Sequence, residues 1–245
     1  MQRAALILAL TALAGCGGGA VWGWHVVSPM TEQGVRNLEF LIGGLWNTVA
    51  LSLTAMALST ALGLLVALPA FSERRALRAV NRVYVETVRS VPILVMILWV
   101  YYGLPVVAGV AINVFWAGVL ALALSDSAFQ AEIFRAGVQA VPKGQSEAAQ
   151  AIALGRVDRF RYVVLPQALR RILPALGNQF VYVLKMSSLV SVIGMQELTR
   201  RANELVVTEY RPLEIYTILV LEYLALVLLV SWGVRRLERA MAAGQ

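Results

Sequence analysis

Residues 143–171 read KGQSEAAQAIALGRVDRFRYVVLPQALRR, a basic stretch between two long apolar blocks. Pro142 precedes it, Glu147-Ala148-Ala149 opens it, and Gly155 follows eight residues after the glutamate. Leu165-Pro166 and Arg170-Arg171 close it. Pro142 suits a helix entry, where a missing N–H costs nothing, whereas Pro166 predicts a kink or an end. A glycine weakens a helix centre by ~1 kcal/mol relative to alanine. The stretch therefore predicts two short helices meeting near Gly155-Arg156. Ala148, Ala149, Ala151 and Ala153 keep the first of them slim enough to enter a groove in another protein, with Glu147 and Arg156 placed to pair with charges there. A helix lying on the membrane, with Arg159 and Arg161 reaching anionic lipid, fits the same local chemistry equally well.

The flanking blocks decide the fold class. Of 245 residues, 59% are apolar and 14% charged, against about 25% charged in soluble domains. A hydrocarbon core takes about 20 apolar helical residues to cross. Six stretches qualify, near 4–27, 43–71, 84–104, 113–132, 172–196 and 213–233. The expected fold is all-α and polytopic, with residues 1–40 as an N-terminal membrane helix and outer connection, residues 41–245 as a core, and a cytoplasmic loop at 135–171. The net charge is +7, but fourteen of the 21 basic residues fall in three blocks between or beyond apolar spans. That is positive-inside bias rather than a nucleic-acid footprint, and it places both termini in the cytoplasm.

The first stretch has two readings. Leu13-Ala14-Gly15-Cys16 has the layout of a lipoprotein signal cleaved before Cys16. Against this, apolar sequence resumes at Ala20 and Gly15, Gly19 and Gly23 recur every four residues, as on a small-residue helix face, which favours an uncleaved span. A single cysteine excludes an intrachain disulfide. No phosphate-cradling glycine loop, His/Cys metal spacing or paired nucleophile and base is present, so the chain is expected to be no enzyme and to hold no cofactor or metal. His25 reads as an interfacial polar residue.

Glu147-Ala148-Ala149, Gly155 and Leu165-Pro166 resemble the EAA signature of permease subunits of ABC importers. Tyr84-Val85-Glu86 with Arg89-Ser90-Val91-Pro92, Tyr102-Gly103-Leu104-Pro105, Ala128 through Arg135, Gln139 through Gln145, Leu184 through Leu189 and Glu197 through Arg200 are similar to polar amino-acid permeases of the histidine/glutamine type. The likeness covers about residues 40–240. It implies a five-helix type I importer core, here with an extra N-terminal helix, in the bacterial inner membrane. It also implies a coupling loop, centred on Glu147, Ala148, Ala149, Leu154, Gly155 and Arg156, that docks on a separate ATPase holding ATP and Mg. The implied partners are that ATPase, a second permease subunit (identical or related), an extracytoplasmic substrate-binding protein, membrane lipid and a polar amino acid. Met186, where many relatives are acidic, and Asp126, where small or neutral residues are expected, depart from the pattern.

Polar residues inside spans usually face the bundle interior, a partner or a wet cavity. Gln179, Lys185, Met186, Ser187 and Ser188 on the fifth span and Asp126 on the fourth are thus candidates for the substrate pathway. Lys185 for a carboxylate and Asp126 for an ammonium would suit a zwitterion; internal neutralisation that holds helices together is the competing role. Counted from the cytoplasmic boundary, Asp126 lies ~10 Å up, Lys185 ~20 Å and Glu222 ~16 Å, so Glu222 is the better depth match for Lys185. Glu86 and Arg89, spaced i, i+3, are placed to pair with each other, and with Pro92 they read as structural or gating. An ion-coupled carrier working through Asp126 and Glu222 is the alternative. It lacks visible inverted repeats and leaves the loop without a role.

Overall fold

The computed structural model describes residues 22–242, and side chains as far as residue 239. Among these residues every regular element is helical. Four helices are long and apolar enough to cross a membrane, and Arg75–Ser90 with Ile93–Ala108, a pair bent by 95°, makes a fifth where it is counted as one span. The expected first span falls mainly outside the described residues, as do Gly15, Cys16 and Gly19. Its last part is not membrane helix: Trp24–Val27 is a 3-10 turn followed by extended Ser28. The Gly23 N–H donates to Glu214 at 2.6 Å, which fixes this turn against the last span.

Helix α1 (Glu32–Ile42) is capped by Thr31, whose hydroxyl accepts from the Gly34 N–H. Val26, Val27 and Leu41 pack with Ala202, Leu205 and Ile215, joining the turn and α1 to the last helices of the chain. Helix α2 (Leu45–Ala67) carries no charge and runs ~34 Å, enough to span. A 3-10 turn, Leu68–Phe71, containing Pro69 ends it.

The third span departs from the straight helix expected over 84–104. Helix α3 (Arg75–Ser90) stops at Val91-Pro92, and the chain turns by 95° before continuing as α4 (Ile93–Leu98) and α5 (Leu104–Ala108). Val91 is extended (φ −86°, ψ 123°), as steric conflict with the following proline ring favours. A π turn, Trp99–Gly103, joins α4 to α5 ahead of Leu104-Pro105.

Helix α6 (Val114–Gln139) is the centre of the molecule, starting where the Asn113 side chain accepts from the Trp116 N–H at 2.9 Å. Alanines and glycines let its neighbours come close, the usual basis of helix packing in lipid. A Cβ on Gly63 of α2 would lie 2.6 Å from the Gln130 Cβ, and one on Gly137 would collide with Ile172. Below it, α7 (Lys143–Ala151) and α8 (Arg156–Arg159) form a short hairpin.

Pro166 does not end the second hairpin helix. A π turn at Phe160–Val164 carries α8 directly into α9 (Leu165–Met186), so that Arg156–Ile193 is one 38-residue rod. Both Leu-Pro pairs, 104–105 and 165–166, thus follow a π turn. The wider turn accommodates the missing N–H and moves the ring away from the carbonyl one turn back. A 3-10 stretch, Ser187–Ile193, ends at Gly194 (φ 90°).

Helices α10 (Leu198–Glu209) and α11 (Pro212–Ala242) form the closing hairpin. Fully buried Glu197 caps α10, accepting from the Arg200 and Thr199 N–H groups at 2.6 and 2.9 Å and from the Tyr223 hydroxyl at 2.9 Å. Burial pushes its carboxyl above the ordinary range, against the pull of those donors.

Candidate functional site

The hairpin α7–α8 presents the residues singled out as the coupling element. Glu147 and Ala148 are exposed, while Ala149 is buried. The end of α7 has a specific geometry: the Leu154 N–H reaches the Ala149 carbonyl and the Ala153 N–H that of Gln150. This is a Schellman closure, whose left-handed position usually holds glycine. Here it holds Ala153, at φ 60°. Gly155, two residues later, is the N-cap of α8 in an extended conformation (φ −62°, ψ 162°) open to any residue. A Cβ there would meet only the Asp158 carboxylate, at 3.9 Å.

The hairpin is tied internally and to the body. Arg159 donates to Gln150 across it at 3.1 Å, and Arg171 donates to the Ala140 carbonyl. Arg156 pairs with Glu73 at 3.2 Å, but both side chains are more than 80% exposed, so the pair adds little stability. Beside Gly155, Ile152 and Val157 stand 73% and 77% exposed.

The polar residues of the spans separate into two places. Asp126, 3% exposed, accepts from Gln130 of its own helix at 2.7 Å and from Gln179 of α9. The Gln130 amide also donates to Ser59 of α2 at 2.7 Å. Ser127 accepts from the Tyr84 hydroxyl or donates to it, at 2.8 Å. Gln130, Ser59 and Tyr84 were not among the candidates, although amide and hydroxyl residues in apolar helices were the signal. The knot joins α2, α3, α6 and α9 and fits the helix-holding role for Asp126.

Lys185 lies elsewhere, on an outward groove of ~330 Å³ with Ser188, Val220, Tyr223, Leu224 and Val227. The Ser187 and Ser188 hydroxyls turn back to backbone carbonyls, and Met186 packs against the core. The expected kinship of Lys185 with Glu222 does not hold. Glu222 lines a different, apolar groove with Ile42, Leu45, Leu198 and Leu226, its two oxygens buried without a partner among the described residues. Nor do Glu86 and Arg89 pair: the Arg89 guanidinium stands over the Phe129 ring at 4.9 Å. Pro92 serves as the corner between α3 and α4.

This architecture has relatives. Residues 59–243 match the family described as the inner membrane component of binding-protein-dependent transport systems. The glutamine transport system permease protein of Escherichia coli K12 is 37% identical over 205 residues, 83% of this chain and 94% of that one. The arginine transport system permease protein of Bacillus subtilis is 33% identical over 207 residues, 84% and 94% of the two chains. Among solved structures, an amino acid ABC transporter crystallised with histidines matches with TM-score 0.79 and 41% identity, over 84% of this chain and 96% of that one. An inward-facing methionine ABC transporter matches with TM-score 0.73 at 23% identity, a likeness of fold.

Proposed function

This chain belongs to the family of binding-protein-dependent transport system inner membrane components and is a permease subunit of an amino-acid ABC importer; we propose that it carries a polar amino acid and couples to its ATPase through the α7–α8 hairpin. Relatives named for glutamine and arginine transport support this substrate class. The observation that carries the coupling role is the apex of the hairpin, with Ile152 and Val157 held out beside a glycine that the chain's own backbone does not require.

Two such subunits, identical or related, enclose the pathway, and a binding protein delivers the amino acid from outside. Closure of the paired ATPases on ATP draws the two hairpins together. Because α8 continues into α9 as one rod, that displacement passes straight to the helix bearing Gln179 and Lys185. Hydrolysis releases the rods and opens the pathway inward. This is a two-state element biased from a distance, and this chain's part in it is mechanical. The arginine-rich ends and both termini face the cytoplasm, as charge bias assigns them.

The test is reconstitution in lipid with the cognate ATPase and binding protein. Hydrolysis stimulated by one amino acid and abolished by Glu147→Arg on the hairpin supports the reading. Hydrolysis indifferent to every amino acid, or an ATPase that does not associate with this chain, refutes it.

A further inference from the structure

Between α3 and the lower end of α6 lies a cleft of ~460 Å³ that neither the hairpin nor the polar knot uses. Arg78, Arg82, Arg89 and Arg135 line it, together with Glu86 and Glu132. At 100° per residue, Arg78, Arg82 and Arg89 fall within about 40° of one another on α3, so one helix face presents three guanidiniums to one cavity. Not all are free. Arg135 is held bidentately by Glu132, at 3.0 and 2.6 Å, and by Gln139 at 2.7 Å. One nitrogen of Arg78 donates to the Ser72 and Glu73 carbonyls.

Arg82 makes no hydrogen bond or ion pair with any described residue, and Arg89 stands over the Phe129 ring and attracts the Glu132 carboxylate through space without a hydrogen bond. Glu86 is placed in the same cleft and pairs with neither. Arg78 and Arg82, one turn apart, repel, and the cleft sets four guanidiniums against two carboxylates, a surplus of positive charge that a shared anion would relieve. Guanidinium forks match tetrahedral oxyanions bidentately.

The setting narrows the ligand. α3 turns 95° away from the span that follows it, and it exposes Leu77, Val80 and Val83 on a face apart from its arginines. A helix of that kind lies at a membrane surface with its apolar side in the acyl boundary. Its arginine-rich end belongs to the cytoplasmic leaflet by charge bias, where basic pockets between helices take anionic headgroups. The cavity is also much larger than the ~30 Å³ share of a water molecule, which leaves room for a phosphate with glycerol attached.

We propose that this cleft is a binding site for a phosphate-type oxyanion, held by Arg82 and Arg89 with Arg78 beside them, and supplied by an anionic phospholipid headgroup or by free phosphate. The full chain, purified in detergent, is offered phosphatidylglycerol or phosphatidylcholine and examined by native mass spectrometry; inorganic phosphate is titrated in a separate arm. Arg82→Gln is the first variant, since Arg82 holds nothing else in place, and Arg82→Gln with Arg89→Gln is the second. Arg235→Gln with Arg236→Gln on α11 controls for charge alone.

Losing one charge-assisted guanidinium contact predicts roughly tenfold weaker binding. Preferential retention of phosphatidylglycerol that Arg82→Gln reduces and the α11 control does not supports the site with lipid as the source. Phosphate binding with the same dependence on Arg82, without lipid preference, supports it with a free anion. Equal retention of phosphatidylglycerol by wild type and Arg82→Gln, with no phosphate uptake, overturns it.

Discussion

Substitution of Gly155 separates what the hairpin needs for itself from what a partner needs of it. The backbone there is extended, and an added Cβ meets one atom at 3.9 Å. For Gly155→Ala two effects oppose. Restricting the unfolded chain stabilises by about 0.4–1 kcal/mol, while losing the N-cap preference for glycine over alanine costs about 0.5–1 kcal/mol. They cancel to within about 0.5 kcal/mol, or about 1–2 °C in melting temperature for a chain of this length. Gly155→Leu brings the same backbone terms and a side chain that points into open space. If an ATPase packs over the apex, that side chain meets a filled surface, and overpacking costs about 1–3 kcal/mol. The equivalent loss of affinity is about 5–150-fold. The assay pairs a thermal melt of the isolated chain with an ATPase titration in nanodiscs. The expected result is an unchanged melt with weakened association for Gly155→Leu. Association as tight as wild type would refute docking at this glycine, and a melt lowered by many degrees would refute the hairpin geometry.

Ala153→Gly relieves a left-handed alanine that costs about 1–2 kcal/mol, partly offset by glycine's entropy, so a gain of about 0.5–1 kcal/mol is expected; a lower melting point contradicts the Schellman closure. Glu197→Ala removes the α10 cap and the carboxylate acceptor of the Tyr223 hydroxyl, which keeps its 3.3 Å contact with the Thr199 hydroxyl, a loss of about 1–3 kcal/mol measurable by denaturant or heat. Gln130→Leu breaks the bonds to Asp126 and Ser59 and is expected to cost about 1–3 kcal/mol, with wild-type stability counting against the knot. Lys185→Met, on a groove rather than in the core, is expected to lower uptake more than expression; equal losses in both would make Lys185 structural.

Long apolar runs announced the spans because hydrocarbon accepts little else, while Pro142 and Gly155 marked the two short helices and the resemblance carried by Glu147-Ala148-Ala149, not local chemistry, singled them out as a coupling element. What stayed hidden was set by geometry beyond the local chain. Gly155 drew attention as the break, yet the left-handed residue is Ala153; composition identifies a flexible position and does not assign which neighbour adopts the strained one. Pro92 was readable as a boundary, whereas the 95° turn depends on α3 packing against α6 through Tyr84 and Val85. Pro166 read as a break because the rule for an α-helix does not include the π turn that absorbs it.

The misplacement of Lys185 and Glu222 has a sharper cause. Counting residues along a helix gives height in the membrane, at 1.5 Å per residue, and says nothing of azimuth unless the face is known. Adjacent positions on a helix point 100° apart. On α11 that one step carries the chain from Glu222, inside the groove with Leu45 and Leu198, to Tyr223, inside the groove with Lys185. Two charges matched in depth therefore face different grooves, about 100° apart around α11. Asp126 escaped the same ambiguity because Ser125, Asp126 and Ser127 cover three consecutive directions on a helix buried almost all round. Whichever way α6 turned, one of the three would meet α9.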